Sequence, residues 1–270
     1  MDIEKKVKQD LSKLKINKKD KILVALSGGK DSSVVAFLLK KFGYTIEGFH
    51  INLGMGKYSE ECLNCIKELC KIIDIPLHIY DIKNEMGSSM CYIRSSVQSR
   101  QSLKNCAICG VIKKWILNKE GRKLKAKYIA TGHHLDDEIQ TFLLNLFKGS
   151  PQLSANTGIV TKNISDKKFI PRIKPLFYVF EDDIKKYSQN KKLPVNYNKC
   201  PCAIDSYRIQ IRDFIKKLPK KNKENIMENF DEMSILLEKK KDLNIGYCEI
   251  CGEPSRRKIC KMCDLLQKNV

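Results

Sequence analysis

The sequence predicts an α/β fold: a doubly wound parallel sheet, followed by a C-terminal helical cap and a small zinc finger. Short apolar runs rich in β-branched residues alternate with helix-length amphipathic segments as far as Pro151. Strongly basic amphipathic segments then replace the strands, and the last stretch contains a tight group of cysteines. These three observations define the fold class and the order of its parts.

The alternating part begins with a charged segment at residues 1–18, which we expect to be a helix. KILVALS (21–27) suits a buried parallel strand, and SSVVAFLLKKFG has the apolar face of a helix that ends at Gly43. YTIEGFHINL (44–53) is strand-like, so these segments form a βαβ unit. The pattern repeats over a helix at 58–74, a strand at 77–82, a helix around 110–119, a strand at 126–132 and a helix that starts at Leu135.

The C-terminal part has a different composition. Beyond Pro151 comes a loop-rich stretch, and then three basic amphipathic segments that predict a helical cap. From about residue 244 the chain is too short for a core of its own, so we expect metal to hold it together. The predicted units are an N-terminal helix (1–18), an α/β domain (19–180), a basic helical region (181–243) and a finger (244–270).

The charge of the chain is strongly positive. Lys plus Arg number 51 against 31 Asp plus Glu, a formal net charge of +20. Such an excess suggests a polyanionic partner, with nucleic acid the leading candidate. Because the lysines are scattered, a surface that is Lys-rich through biased composition explains the charge as well.

The location of the protein is predicted from two absences. No run approaches the roughly 20 apolar residues of a membrane span, and the start MDIEKKVKQD lacks the apolar stretch of a secretory signal. We therefore expect a cytoplasmic protein without membrane contact. In that reducing compartment the twelve cysteines, most of them paired at CxxC spacing, are expected to bind metal rather than form disulfides.

A glycine-rich loop joins the first predicted strand to the next helix. Glycines let backbone N–H groups approach phosphate oxygens, and the helix N-terminus adds favourable partial charge. Lys30 can neutralise phosphate, Ser32 can donate its hydroxyl or cap the helix, and Asp31 can hold Mg²⁺. The loop is predicted to bind ATP, although an ordinary glycine-rich turn with a serine cap has the same composition. Its residues are Ser27, Gly28, Gly29, Lys30, Asp31 and Ser32.

The segment ATGHHLDDEIQT supplies a second half for this site. Gly132 and its neighbours Thr131 and His133 end a predicted strand, where ligands bind in such sheets. Asp136 and Asp137 lie in the first turn of the next helix and point about 100° apart, so we expect one to face the phosphates. We assign Asp137 as catalytic and Asp136 to ATP binding, although acidic residues there also favour the helix dipole without chemistry.

Two further residues complete the predicted ATP site. They are Ala25 and His50, in the first two predicted strands.

The last group of cysteines has the spacing CxxC-x8-CxxC. This spacing suits tetrahedral zinc in a treble-clef or ribbon-like finger. The predicted zinc ligands are Cys248, Cys251, Cys260 and Cys263.

Other cysteines allow more than one interpretation. Cys106 and Cys109 form a CxxCG motif, which suits an iron–sulfur ligand pair, a zinc knuckle or a redox disulfide. Cys62, Cys65 and Cys70 fall on a predicted helix, where small buried thiols are commoner than ligands, so we favour core packing for them.

SGGKDS (27–32), CAICG (106–110), TGHHLDDE (131–138), PRIKPL (171–176) and KCPCAIDSYRIQIR (199–212) carry a family resemblance. Together they resemble the TtuA-type tRNA 2-thiouridine synthetases, relatives of the TtcA cytidine thiolases among the PP-loop ATP pyrophosphatases. The Walker A pattern GxxxxGK[ST] is absent from the loop, and the resemblance implies release of pyrophosphate and transfer of AMP. The resemblance spans residues 20–265 and implies that 19–180 is a PP-loop ATP pyrophosphatase domain.

The resemblance assigns roles to residues beyond that domain. It implies that Cys106, Cys109 and Cys200 hold a [4Fe-4S] cluster, completed by the helical region, and that Lys113 and Asp137 are catalytic. Three thiolates leave one iron of the cluster without a protein ligand, so an exogenous sulfur can bind there. The implied cofactors are ATP, Mg²⁺, the [4Fe-4S] cluster and Zn²⁺.

The chain departs from this family at two places. Cys202 follows Pro201 where relatives often have an aromatic residue, so it either offers an alternative sulfur ligand or lines the cluster pocket. Relatives usually begin with a second cysteine-rich finger, for which the first cysteine here, Cys62, comes too late.

The implied activity is that of a tRNA sulfurtransferase, in which a uridine C2 oxygen is adenylated by ATP and AMP is then displaced by sulfur. The implied partners are tRNA, sulfide or a ubiquitin-like sulfur carrier, and a second copy of the chain in a homodimer. Thiolation of tRNA cytidine or of a small molecule would use the same chemistry, whereas the three cysteines argue against lysidine formation. A rival of another class is a metal-containing RNA-binding redox sensor without ATP turnover.

Overall fold

The computed structural model describes residues 2–156, 158–160, 166–203, 207–238 and 245–266. The predicted α/β fold is confirmed, since the described residues contain a parallel sheet of five strands in the order β3-β2-β1-β4-β5. The strands are β1 (Ile22–Leu26), β2 (Ile46–Asn52), β3 (Leu77–Asp81), β4 (Tyr128–Ala130) and β5 (Arg172–Ile173). The chain winds outward from β1 in one direction and returns to β4 on its other side. Such a reversal of strand order leaves a crevice at the carboxyl ends of β1 and β4.

Helices cover both faces of the sheet. The N-terminal half contains α1 (Ile3–Ser12), α2 (Lys30–Lys41), α3 (Lys57–Ile72), α4 (Ile82–Met86), α5 (Met90–Gln98), α6 (Asn105–Lys123) and α7 (Leu135–Phe147). Alternation along β1 explains the two layers: Val24 packs with α1, α2 and α3, whereas Leu23 packs with α5 and α6 on the other face. Both faces are therefore apolar, as a buried parallel sheet requires.

Several elements differ from the sequence-based expectation. The first helix ends at Ser12 rather than near residue 18, because Lys15 has a positive φ of 50° that a helix cannot continue through. The helix expected around 110–119 runs from Asn105 to Lys123, so the CAICG motif is helical. The short helices α4 and α5 and the two-residue strand β5 were not predicted, because elements of that length have little periodicity.

The predicted cap is formed by the later helices. They are α8 (Glu181–Asn190), α9 (Tyr207–Lys217) and α10 (Lys220–Glu238). Helices α9 and α10 pack on α7 around Phe142, Phe177 and Phe230, with ring centroids of Phe142 and Phe230 4.5 Å apart. Helix α8 differs, because Ile184 is buried in the same core as α1 and α2. It therefore extends the layer that covers the sheet.

The finger contains β6 (Gly246–Tyr247), β7 (Pro254–Ser255) and α11 (Lys261–Leu266), while its predicted ends at 244 and 267–270 lie outside the described residues. Met262 and Leu265 are buried in the core that α6 forms with the sheet. Glu253 accepts hydrogen bonds from Asn118 at 3.1 Å and pairs with Arg122 on the same helix. The finger thus docks on α6 through apolar and charged contacts.

Within the described ranges, no helix is both long enough and apolar enough to cross a lipid bilayer.

Candidate nucleotide and cluster site

The glycine-rich loop (27–32), which we call the phosphate loop, lies at the crevice between β1 and β4. Gly28 has a φ of +82°, and a Cβ placed there would come within 2.7 Å of the Cβ of Cys62 on α3. The backbone oxygen of Gly28 accepts a hydrogen bond from the Asn196 N–H at 2.8 Å. Only glycine satisfies both the left-handed conformation and this close contact. Cys62 is therefore part of the packing that shapes the loop.

Serine hydroxyls hold the loop together from inside. The Oγ of Ser32 accepts a hydrogen bond from the Ser27 N–H at 3.1 Å and donates to the Gly29 oxygen at 3.1 Å. Gly29 is the N-cap of α2, and no side-chain hydrogen bond caps this helix. The first backbone N–H groups of α2 are thus available to an anion, as expected for a phosphate-binding helix N-terminus.

Lys30 lies between two carboxylates. Its ammonium is 3.0 Å from Asp31 and 3.0 Å from Glu181 at the start of α8. Burial alone would lower the pKa of Lys30, but the charges of Asp31 and Glu181 raise it above its usual value. Lys30 is therefore charged at neutral pH. Glu181 was not predicted as a site residue, since nothing in its local sequence links it to a loop so far away along the chain.

Gly132 places the second half of the site against the loop. A Cβ on Gly132 would lie 2.8 Å from the Ser32 backbone N and 2.9 Å from the carbonyl carbon of Asp31. The absence of a side chain at 132 thus keeps the two segments in contact. Thr131 and His133 join through a 2.9 Å hydrogen bond between the threonine Oγ1 and the histidine Nδ1.

The two neighbouring aspartates have different surroundings. Asp136 is buried, accepts a hydrogen bond from the Glu181 N–H at 2.8 Å and pairs with Lys223 of α10 at 2.6 Å. Asp137 instead lines the cleft, with an oxygen 3.3 Å from Nε2 of His134. Although burial raises it, the pKa of Asp137 is lowered overall by the histidines and arginines around it. The structure gives Asp136 structural partners, and its predicted contact with ATP stays a prediction.

Two cavities meet at Lys113. The larger, of about 370 Å³, is the cleft beside the phosphate loop, and its lining includes Ser27, Asp31, Gly132 and Asp137. The smaller, of about 160 Å³, is lined mainly by apolar groups and includes Ala25, His50 and Cys200. Lys113, on α6, lines both. A single lysine thus lies between the phosphate loop and one of the predicted cluster ligands.

His50 offers a hydrogen-bond acceptor in the smaller cavity. Its Nδ1 lies 2.9 Å from the Leu26 oxygen, which can only accept, so Nδ1 carries the proton. Its Nε2 is buried and has no hydrogen-bond partner among the described residues. Burial lowers the pKa of His50, so the ring is neutral. An apolar cavity with one acceptor suits a nucleobase that carries an amino group.

The three predicted cluster ligands come from two segments, the start of α6 and the segment around Cys200. Cys106 and Cys109 lie one turn apart on α6 and share a face with Lys113. Burial raises the pKa of Cys200, the neighbouring thiols Cys202 and Cys109 raise it further, and Lys113 lowers it. In the described part of the chain, only the finger cysteines lie within 4.8 Å of one another as a group. A four-iron cluster is wider than a single ion, so its thiolates must stand further apart.

The Cys200–Cys202 segment is held by residues that were not predicted. Arg94 on α5 is buried and donates to the sulfur of Cys202 at 2.7 Å and to that of Cys91 at 3.1 Å. Asn105, beside Cys106, donates to the backbone oxygen of Cys202 at 3.3 Å. These contacts fix the segment beside the start of α6. A lone arginine on an unpredicted helix carried no signal in the sequence.

The four finger cysteines form a compact group. Their sulfur atoms all lie within 4.8 Å of one another, and those of Cys251 and Cys260 are 3.6 Å apart. The backbone N–H groups of Cys260 and Cys263 point at sulfur atoms, at 3.2 and 3.4 Å. Such N–H groups stabilise thiolates, so the geometry suits a tetrahedral zinc ion.

Known proteins match this chain over most of its length. A protein-family model described as a PP-loop domain matches residues 1–218. The chain belongs to the PP-loop family. A tRNA-5-methyluridine(54) 2-sulfurtransferase from Pyrococcus horikoshii is 36% identical over 265 residues, which cover 96% of this chain and 83% of the relative. The tRNA 2-thiolation protein NcsA from Haloferax volcanii is 30% identical, covering 91% and 81%. Within the PP-loop family, the chain therefore groups with the tRNA sulfurtransferases.

One solved structure supports this assignment, and a second shares the fold. The U34-tRNA thiolase NcsA from Methanococcus maripaludis, described with its [4Fe-4S] cluster, superposes with a TM-score of 0.81 at 25% identity, covering 99% of this chain and 87% of that one. An NH3-dependent NAD synthetase from Campylobacter jejuni has a TM-score of 0.50 at 12% identity, covering 90% and 100%. The second likeness concerns the fold alone.

Proposed function

We propose that this PP-loop protein thiolates a uridine of tRNA, using ATP to activate the C2 oxygen and a cluster-bound sulfur to replace it. The observation that carries the proposal is the position of Lys113, which lines both the phosphate-loop cleft and the cavity that contains Cys200. The activating and sulfur-delivering parts of such an enzyme must act on the same base. Because Lys113 lines both cavities, its position supports a coupling between ATP activation and sulfur delivery.

The residues of the crevice fit ATP. The uncapped N-terminus of α2 suits the leaving pyrophosphate, and Lys30 neutralises its charge. His50 accepts from an amino group of the base through its orphaned Nε2. Asp31 and Asp137 offer carboxylate oxygens at the phosphates, the ligands that Mg²⁺ prefers.

The thiolate set fits an iron–sulfur cluster. Cys106 and Cys109 lie in the first turns of α6, and the charge of Cys109 acts on the Cys200 thiol. Three protein thiolates would match a [4Fe-4S] cluster with one iron that is not bound by protein. When bound, the cluster supplies a place for sulfide to bind as a nucleophile. Arg94 and Asn105 hold the Cys200–Cys202 segment in position for this role.

The reaction proceeds in two substitutions. The uridine C2 oxygen attacks the α-phosphate of ATP, the bond from that phosphorus to the bridging oxygen breaks, and pyrophosphate leaves. Sulfide then attacks C2, and AMP departs with the former carbonyl oxygen. Lys113 stabilises the negative charge that develops near the α-phosphate. Asp137 positions Mg²⁺ or accepts the N3 proton that the uridine loses when its C2 oxygen attacks phosphorus.

The remaining parts serve the RNA. Zinc at the four finger cysteines would keep the finger folded on α6, beside the crevice. The basic helix α9 and the lysines at the start of α10 supply cationic side chains for phosphate contacts. The sulfur comes from sulfide or from a ubiquitin-like carrier, and the protein works as a homodimer in this proposal.

The test is reconstitution under anaerobic conditions. The purified protein is assayed for iron and zinc, then incubated with unmodified tRNA, ATP, Mg²⁺ and either sulfide or a thiocarboxylated carrier. Mass spectrometry of nucleosides and of nuclease fragments identifies the thiolated base and its position, including positions 34 and 54 named for the relatives. We expect 2-thiouridine together with AMP.

Matched variants separate the parts of the proposal. Cys200→Ala should abolish thiolation and lower the iron content, whereas Cys65→Ala, at a half-buried cysteine on α3, should change neither. Normal thiolation by Cys200→Ala contradicts the role of the cluster, and normal activity of Lys30→Ala contradicts the ATP site. An absence of AMP release with every RNA would favour the redox-sensor alternative, and thiocytidine would identify the other base as acceptor.

A further inference from the structure

A third cavity, of about 220 Å³, lies between α6 and the finger, and we call it the finger cavity. Its walls include Lys114 and Trp115 of α6, Phe169, Arg172 and Lys261 of α11. Lys114 and Arg172 also line the cleft beside the phosphate loop. The finger cavity is therefore adjacent to this cleft, and the side chains of Lys114 and Arg172 border both spaces.

The aromatic walls of the finger cavity suit a flat ring. Trp115 and Phe169 both line it. The indole Nε1 of Trp115 is buried and has no hydrogen-bond acceptor among the described residues. A buried N–H without an acceptor is unfavourable. A ligand that brings both an aromatic face and an oxygen or ring nitrogen would satisfy this group.

The charge of the finger cavity suits an anion. Lys114, Arg172 and Lys261 contribute three cationic side chains to its walls. Lys114 is exposed, but desolvation by the protein around it is the largest cause that lowers its pKa. The positive charges of Arg172 and Arg208 lower that pKa further. The one carboxylate in the lining, Glu253, is already bound by Arg122 and by Asn118. Lys261 pairs with Asp264 at 2.9 Å, so an incoming phosphate meets chiefly the charges of Lys114 and Arg172.

We propose that the finger cavity binds a nucleotide that flanks the target uridine, with its base against Trp115 and its phosphate at Lys114 and Arg172. The inference rests on the proposed function, because it deepens the description of how the RNA reaches Lys113. An aromatic wall, an orphaned donor and adjoining cations match a nucleotide of single-stranded RNA. The net charge of +20 agrees with a polyanionic occupant.

Trp115 is a built-in probe, since the chain contains one tryptophan. Holoenzyme purified without oxygen is titrated with an unmodified tRNA transcript, and separately with ATP and Mg²⁺, while tryptophan emission is recorded. A fluorescein-labelled transcript reports binding independently through anisotropy. We expect saturable quenching with tRNA at the concentrations where anisotropy rises, and little change with ATP alone.

Three variants test the contact by anisotropy. Trp115→Ala should weaken tRNA binding about five- to tenfold, as expected for the loss of one stacked base. Trp115→Phe keeps a ring for stacking and should lose less affinity, and Lys114→Gln tests the phosphate contact without disturbing the aromatic wall. Tyr92→Ala, at an exposed aromatic of α5 that lines none of these cavities, is the matched control and should bind as wild type.

The outcomes separate this inference from the proposed function. Tryptophan emission that stays constant while tRNA binds overturns the inference. Wild-type tRNA affinity in folded Trp115→Ala and Lys114→Gln also overturns it. Neither outcome contradicts the proposal that the protein thiolates tRNA. Quenching by ATP and Mg²⁺ equal to that by tRNA also overturns it, because the occupant would then be the cofactor. If the wild-type protein neither binds tRNA nor thiolates it, the proposed function itself is contradicted.

Discussion

Individual residues of the phosphate loop are constrained by backbone geometry as much as by chemistry. Gly28 combines a φ of +82° with a contact to the α3 backbone that leaves no space for a Cβ. Cys62, which we expected to pack in the core, provides that contact. Cys62 thus shapes the glycine-rich loop through packing.

The crowding at Gly28 leads to a prediction with an internal control. Gly28→Ala should lower the free energy of unfolding by more than the roughly 1–2 kcal/mol of left-handed strain, and should abolish ATP binding. Gly56 also has a positive φ, 58°, but a Cβ there meets nothing within 4 Å. Gly56→Ala should therefore show the strain alone. Chemical denaturation measures the free energy of unfolding, and calorimetric titration measures ATP binding. An equal loss of unfolding free energy in the two variants would contradict the role of Cys62.

The adjacent aspartates should separate stability from activity. Asp136→Asn leaves the buried ammonium of Lys223 without a charge partner, so it should cost about 3–5 kcal/mol of unfolding free energy. Asp137→Asn should cost less stability than Asp136→Asn, because the Asp137 side chain lines a cleft, but it should reduce the thiolation rate about a hundredfold or more. Thermal denaturation and single-turnover assays on both variants check this. A large loss of activity without destabilisation in Asp136→Asn would reverse the assignment.

The neutral state of His50 gives a pH prediction. Because burial lowers its pKa, the ring stays neutral as pH falls from 8 to about 6.5 and gains its proton only under more acidic conditions. ATP affinity that depends on Nε2 as an acceptor should be lost as pH falls through the lowered pKa. His50→Gln, which keeps an acceptor that does not titrate, is the control for titration of ATP itself. Calorimetry measures ATP affinity across pH for the wild type and for His50→Gln. Identical pH profiles of the two proteins would contradict a role for His50.

At the scale of elements, α6 joins the parts of the molecule. It carries the CAICG motif at its start, Lys113 and Trp115 in its middle, and Asn118 and Arg122, which hold the finger, towards its end. Its buried face, Ile108, Ile112 and Ile116, packs against the sheet at helical spacing. The finger and two of the predicted cluster ligands therefore lie on different parts of the same helix.

The docking of the finger on α6 predicts cooperative unfolding. Chelation of zinc, or Cys251→Ser, should expose Met262 and Leu265, whose burial is worth about 1.5–3 kcal/mol each. Differential scanning calorimetry should then show the whole protein melting at lower temperature. Cys65→Ser on α3 is the matched control and should melt as the wild type does. A separate finger transition, with the main one unchanged, would show that the two parts are independent.

At the scale of the whole molecule, electrostatics favours RNA. The net charge of +20 is spread over the chain, and cations line the finger cavity next to the phosphate loop. The cleft beside the phosphate loop and the finger cavity are adjacent, since Lys114 and Arg172 line both. The arrangement can therefore bind a nucleic acid along a path rather than at a single point.

Affinity for tRNA should consequently depend on salt. Each phosphate that is neutralised releases counterions, so about six contacts would weaken binding about a thousandfold between about 50 and 200 mM salt. Anisotropy of a labelled transcript measured at several salt concentrations gives the slope. Lys114→Gln should reduce that slope by about one contact. Binding that does not change with salt would contradict an electrostatic interface.

The amino-acid sequence by itself determined the α/β class, the phosphate loop, the TGHHLDDE half of the site and the finger cysteines. Each of these features is encoded locally: the alternation of apolar residues, the glycines of one turn, and the CxxC pairs are readable over a few positions. The helical cap was readable for the same reason, through amphipathic periodicity. Short elements such as α4, α5 and β5 were not, because two to nine residues contain too few periods.

Only the tertiary structure decided which distant residues complete the site. Glu181 pairs with Lys30, Lys223 with Asp136, and Arg94 contacts Cys202, although each pair is separated by many elements in the chain. These contacts depend on how α8, α10 and α5 pack, and packing is set by the fit of whole surfaces rather than by local pattern. The finger cavity exists for the same reason, since its walls come from three segments that meet only when the chain has folded.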